Sequence, residues 1–136
     1  MTMKRAIPAL PVKDMNRSVE FYRDRLGFTL GHNEDGFAVF RRDEVEVHLW
    51  AASDESWRTR AASAPVVSGA ESFIAGTASC RIQVDGVDEL YETYQRLGII
   101  HPNGALADQW WGSREFGALD PDNNLLTFFE SPPHRP

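Results

Sequence analysis

The chain has 136 residues, 42% of them hydrophobic, with 14 basic against 20 acidic side chains and a formal charge of −6. Such a length suits one domain with a real core, and the acidic balance excludes a protein built to grip phosphate backbones, so no nucleic-acid partner is expected. No stretch approaches the ~20 apolar residues of a membrane span, and the opening residues carry no leader pattern. The expectation is a cytoplasmic protein with no membrane partner.

Ile7 to Val12 reads as an apolar strand running into Asp14, which, like Asn16, can cap a helix. Met15, Val19, Tyr22 and Leu26 then fall on one helical face, and Gly27 stops it. Three strands come next, Phe28 to His32, Phe37 to Arg41 and Val45 to Ala51. The last alternates Val45, Val47 and Leu49 against Glu46, His48 and Trp50. Residues 53–76, rich in Ala, Ser and Gly, read as a linker that carries Trp57 and a short ordered piece at Ser72 to Ala75. Connections that long inside a compact domain are usually functional or mobile.

Strand and helix then recur. Ser79 to Val84 runs into Asp85 and a helix marked by Leu90, Tyr94 and Leu97, stopped by Gly98. Cys80, the one cysteine, sits in this apolar pattern and reads as a small buried hydrophobe. After Ile99 the strand pattern is weak, interrupted by Pro102, Asn103 and Gly104. Glu115 to Leu119 and Leu125 to Glu130 flank a turn at Asp120 to Asn124, and the tail from Ser131 is expected to fray.

Shifting the chain by 71 residues superposes Asp14 on Asp85, Val19 on Leu90, Arg25 on Arg96 and Leu26-Gly27-Phe28 on Leu97-Gly98-Ile99. A shared cap, stripe, stop and re-entry at one offset implies a duplicated unit. The expected fold is α+β: a single domain of two tandem βαβββ modules, about 5–52 and 77–131, joined by the 53–76 linker.

The segment Asp14-x5-Glu20-Phe21-Tyr22 with Leu26-Gly27-Phe28 resembles the first module of the vicinal oxygen chelate superfamily, and Asp120-Pro-Asp-Asn-Asn-Leu-Leu126 resembles its final turn and strand. Within it, Gln109-Trp-Trp-Gly-Ser-Arg-Glu-Phe116 running into Asp120-Pro121 resembles the bleomycin resistance protein family. The resemblance covers nearly all of the chain outside the linker. It implies that each module curls its strands into a half-cup, that two chains pair as a homodimer, and that ligand grooves form between half-cups of different subunits. It also implies exchange of the first strand at a hinge proline, where Pro8 stands.

Many members of that superfamily are metal enzymes, and their chemistry needs His and carboxylate side chains converging on one divalent ion. The resemblance places the ligand slots at Ile7, at its repeat Ala78, and at Thr127. None of these is a metal ligand, and neither are the neighbours Ala6, Pro8, Thr77, Ser79, Leu126 and Phe128. No metal or other cofactor is therefore expected. Glu46 and His48 on one strand face keep an alternative open, an enzyme of the same fold (glyoxalase, isomerase or dioxygenase) using that pair. Nucleophile elbows, phosphate loops and zinc-helix motifs are absent from the sequence.

The four tryptophans point instead to binding. Trp110, Trp111 and Gly112 precede a strand, Trp50 shares a face with Glu46 and His48, and Trp57 lies in the linker. A planar ligand between aromatic faces gains about 0.5–1.5 kcal/mol per favourable pair beyond its burial, and a cationic one is also drawn to the rings and to Glu46. The resemblance assigns Trp111 to the wall of the drug groove and Phe37 to its stacking position. Two features depart from the family pattern: Trp50, where a small residue is usual, and the long linker. The sequence thus reads as an antibiotic-binding resistance protein that sequesters a planar aromatic antibiotic or metabolite, cationic forms included, without modifying it. The expected ligand-binding set is Phe37, Glu46, His48, Trp50, Trp57, Trp110, Trp111 and Gly112.

Overall fold

The computed structural model of the chain describes residues 1–34, 36–52, 56–67 and 75–131. Residues 72–74 of the expected ordered piece and 132–136 of the tail lie outside the described residues. The first half runs β1 (Ala9–Val12), α1 (Met15–Glu20), β2 (Thr29–Glu34), β3 (Phe37–Arg42) and β4 (Val45–Ala51). The second runs β5 (Ser79–Gln83), α2 (Val87–Arg96), β6 (Ala107–Asp108), β7 (Arg114–Leu119) and β8 (Leu125–Glu130). Two four-stranded sheets result, ordered β1-β4-β3-β2 and β5-β8-β7-β6. In each, the first strand pairs parallel with the last while the other pairs are antiparallel.

Each sheet buries one face. The period of two sends Ala38, Phe40, Val47 and Leu49 from the first sheet, and Phe116, Ala118, Leu126 and Phe128 from the second, into a core that also holds Val19, Tyr22, Leu26, Val87 and Tyr94. Tyr94 meets Phe116 and Phe128 edge-on, and Tyr22 meets Phe28 the same way. The opposite faces, left open by the described strands and helices, carry the polar and aromatic alternates.

The first helix departs from its expected course. Asp14 caps it, its carboxylate accepting from the Arg17 amide at 3.1 Å. After Glu20 the backbone widens into a π-helical turn over Phe21–Arg25, with the Leu26 amide donating to the Phe21 carbonyl. A π turn holds one more residue than an α turn. The second helix has no such turn, so the 71-residue offset holds only beyond the helices. The caps Asp14 and Gly86 stand 72 residues apart, as do the buried Tyr22 and Tyr94. Gly86, not Asp85, begins α2, and its amide donates to the Glu130 carboxylate at 3.0 Å.

The strand after Ile99 shrinks to one bridge, Ile100 to Ala118, followed by the two-residue β6. Gly104 explains why. Its backbone crosses Gly117 so closely that an added Cβ would lie 3.1 Å from the Gly117 backbone, and the Gly117 amide donates to the Gly104 carbonyl.

The Asp120–Asn124 turn ties the halves together. Buried Asp120 accepts from the Tyr22 hydroxyl at 2.9 Å, from the Asp122 and Asn124 amides, and from the Asn124 side chain. The Asn124 side-chain amide also donates to the Pro11 carbonyl of β1 at 2.8 Å. The aspartate and asparagine of this motif are therefore structural connectors.

Candidate binding face and its charged platforms

On the open face of the first sheet, cross-strand pairing sets Phe37 opposite Trp50, Val39 opposite His48 and Arg41 opposite Glu46. Such neighbours lie within side-chain reach. The Phe37 ring meets His48 edge-on at 5.1 Å and Trp50 at 5.6 Å, and His32 lies 6.3 Å away. Four of the expected residues, Phe37, Glu46, His48 and Trp50, thus share one face. Trp110 and Trp111 form a second group, ring to ring at 5.3 Å, on the turn into β7 where Gly112 adopts φ +102°. Trp110 is 92% exposed and Trp111 50%. Trp57 stands on a 3-10 turn, Ser56–Thr59, with the Arg58 guanidinium over its ring at 4.5 Å.

Glu46 is not the free negative charge expected from the sequence. One oxygen is shared by Arg5 at 3.3 Å and Arg41 at 2.8 Å, and the other is 2.8 Å from His48 Nε2. A carboxylate only accepts, so Nε2 carries the proton. The hydrogen bond from His48 and the two guanidiniums hold the Glu46 carboxyl below its usual range, against the opposing pull of desolvation. Two cationic partners on one carboxylate leave this row without the attraction for a cation that Glu46 alone would supply.

The same contacts decide the metal question. Ile7, Ala78 and Thr127 offer no ligand, and the cap offset of 72 replaces Ala78 by Ser79, which is no better. Both Glu46 oxygens are taken, and among the described residues no three His, Cys, Asp or Glu side chains converge. These residues do not fit a catalytic metal. The Cys80 thiol, pushed up to about 11 by burial and by nearby Asp120, is a poor nucleophile.

The second sheet's open face holds residues that sequence reading passed over. Glu115, 8% exposed, accepts from both terminal nitrogens of Arg81 at 2.7 and 3.3 Å and from the Ser113 hydroxyl at 2.7 Å. Arg81, Ser113 and the Trp111 side chain hold its carboxyl below the usual range. Arg81 lies over the Phe129 ring, 4.6 Å from its centre. The signal was present: Arg81 and Gln83 alternate against Cys80 and Ile82, a charged residue mid-strand on the open side.

Residues 6–128 match the Glyoxalase/Bleomycin resistance protein/Dioxygenase superfamily. Bleomycin resistance proteins of Geobacillus stearothermophilus and of Staphylococcus aureus strain MRSA252 are each 62% identical over 128 residues, 94% of this chain and 97% of theirs. The chain belongs to the bleomycin resistance protein family of this superfamily. Matching 97% of those relatives' length means the 53–76 linker is shared family sequence and not an insertion of this chain. The fold agrees. The bleomycin resistance determinant of transposon Tn5 superposes with a TM-score of 0.71 at 22% identity, covering 95% of this chain and 98% of that one. The bleomycin-binding protein of Streptomyces verticillus, solved with copper(II)-bleomycin, gives 0.70 at 22%, covering 98% and 99%.

Proposed function

We propose that this chain protects by sequestration: it binds bleomycin or a related planar aromatic antibiotic and releases it unchanged. The observation that carries the reading is the ring cluster Phe37–His48–Trp50 on an open sheet face, in a chain 62% identical to bleomycin resistance proteins. Sequestration needs affinity and no bond-making, and a preformed aromatic face supplies affinity without ordering cost. A second copy of the chain completes the groove, its second-sheet face with Trp110 and Trp111 set against the first-sheet face of its partner. Trp50, Trp110 and Trp111 are all exposed in the single chain, surface that such pairing would cover. Exchange between copies of the segment ahead of Pro8, with Ala9–Val12 staying on β4 of its own chain as here, and a cytoplasmic setting complete the proposal. No described helix is long and apolar enough to cross a membrane.

The test is a tryptophan-fluorescence titration with bleomycin, on samples whose mass is checked by sedimentation. Wild type should quench saturably as a species of twice the 15.3 kDa chain mass. Phe37→Ala and Trp111→Ala should each weaken binding by about 2 kcal/mol, roughly thirtyfold. A monomer, or variants that bind as tightly as wild type, would contradict the groove.

One observation favours an enzyme as second reading. His48 held by Glu46 at 2.8 Å is a base oriented by a carboxylate. An altered ligand after incubation, with turnover abolished in His48→Ala, would establish it.

A further inference from the structure

The open face of the second sheet carries an arginine whose surroundings are more elaborate than an ion pair needs. Both terminal nitrogens of Arg81 donate to Glu115, and the Phe129 ring covers one side of its guanidinium. The Arg81 side chain is nevertheless 49% exposed. Its partner is fixed from below, since Glu115 also accepts from Ser113 and pairs in the ladder opposite Phe129 and Ala107. Ser113 and Glu115 come just after Trp111 and Gly112 in the chain, so one strand start supports both the exposed indole and the guanidinium.

We propose that the uncovered face of Arg81 is a second stacking surface of the binding groove, taking a planar electron-rich ring or conjugated amide of the ligand. The inference rests on the sequestration reading and adds a subsite to it. A guanidinium is a delocalised plane that stacks on aromatic faces from either side. Here Glu115 holds both terminal nitrogens in the guanidinium plane and the Phe129 ring lies 4.6 Å away on one side, which orients the plane and leaves its other side for a ligand. Glu115 neutralises its charge, so the surface attracts a π-system without repelling a ligand that is cationic elsewhere. A lysine would keep the ion pair and lose the plane.

The test uses full-length protein, bleomycin as probe and tryptophan fluorescence as readout, with circular dichroism to confirm that variants fold. Arg81→Lys should retain the fold and lose about tenfold in affinity, and Arg81→Met should lose at least as much. In wild-type protein carrying ¹⁵N-arginine, the Arg81 Nε resonance should shift on adding bleomycin, a readout that needs no variant. Arg81→Lys binding as tightly as wild type, or an unmoved Nε resonance in saturated protein, overturns the subsite alone. Wild type that binds no bleomycin overturns the sequestration reading and the subsite with it.

Discussion

Glu46 shows how far a single side chain's meaning depends on partners distant in the chain. Arg5 and Arg41 reach it from an N-terminal segment and from the neighbouring strand, and His48 reaches it from two positions along its own strand. The strand alternation that puts Glu46 beside His48 and Trp50 was legible from a period of two. Its neutralisation was not, because local spacing says nothing about a partner 41 residues away. The folded carboxyl lies below its usual range, through His48 first and then Arg41 and Arg5. Its contribution is therefore fully present above the ordinary glutamate pKa and is lost as pH falls through the lower folded value. Glu46→Gln should reduce stability to urea at pH 7, and the gap to wild type should close on acidification below about pH 4. A gap that does not narrow as pH falls through the carboxylate range would contradict the lowered folded value.

At the scale of elements, the helix stops at Gly27 and Gly98 repeat as the sequence suggested, but the caps and the stripe fall at an offset of 72, not 71, and the π turn over Phe21–Arg25 is not dictated by spacing. One extra residue in a turn leaves the apolar stripe nearly intact, so the pattern reads as plain helix until the backbone is seen. The two helix-ending glycines differ in their surroundings. Both Gly27 and Gly98 have positive φ, +82° and +71°. A Cβ on Gly98 meets nothing within 4 Å, whereas one on Gly27 falls 2.9 Å from Arg42 Nη1. That nitrogen is tethered, donating to the Leu26 carbonyl at 2.6 Å, where the Tyr94 hydroxyl also donates at 2.7 Å. Gly98→Ala should cost about 1–2 kcal/mol for backbone strain alone. Gly27→Ala should cost roughly 1 kcal/mol more as the Arg42 hydrogen bond is displaced. Urea unfolding measures both, and equal costs would show that Arg42 yields freely.

Across the whole molecule, the duplicated order of strand, helix and three strands was legible because the modules share local signals. The junction between the halves was only half legible. Asp120-Pro-Asp-Asn-Asn124 stood out as a motif, yet its bonds to Tyr22 and to the Pro11 carbonyl join residues about a hundred positions apart. The proposed binding face divides in the same way. His48 and Trp50 share a face as alternation suggested, with Phe37, placed by the resemblance alone, beside them, whereas the grouping of Arg81 with Glu115 and Phe129 became visible only when three strands lay side by side. In the proposed function this chain holds its antibiotic without changing it. The most direct measurement is to incubate an excess of protein with bleomycin, separate the complex, denature it and weigh what is released by mass spectrometry. Bleomycin retained with the protein and recovered at its original mass is the predicted result. A new product mass, or bleomycin that never accompanies the protein, would contradict it.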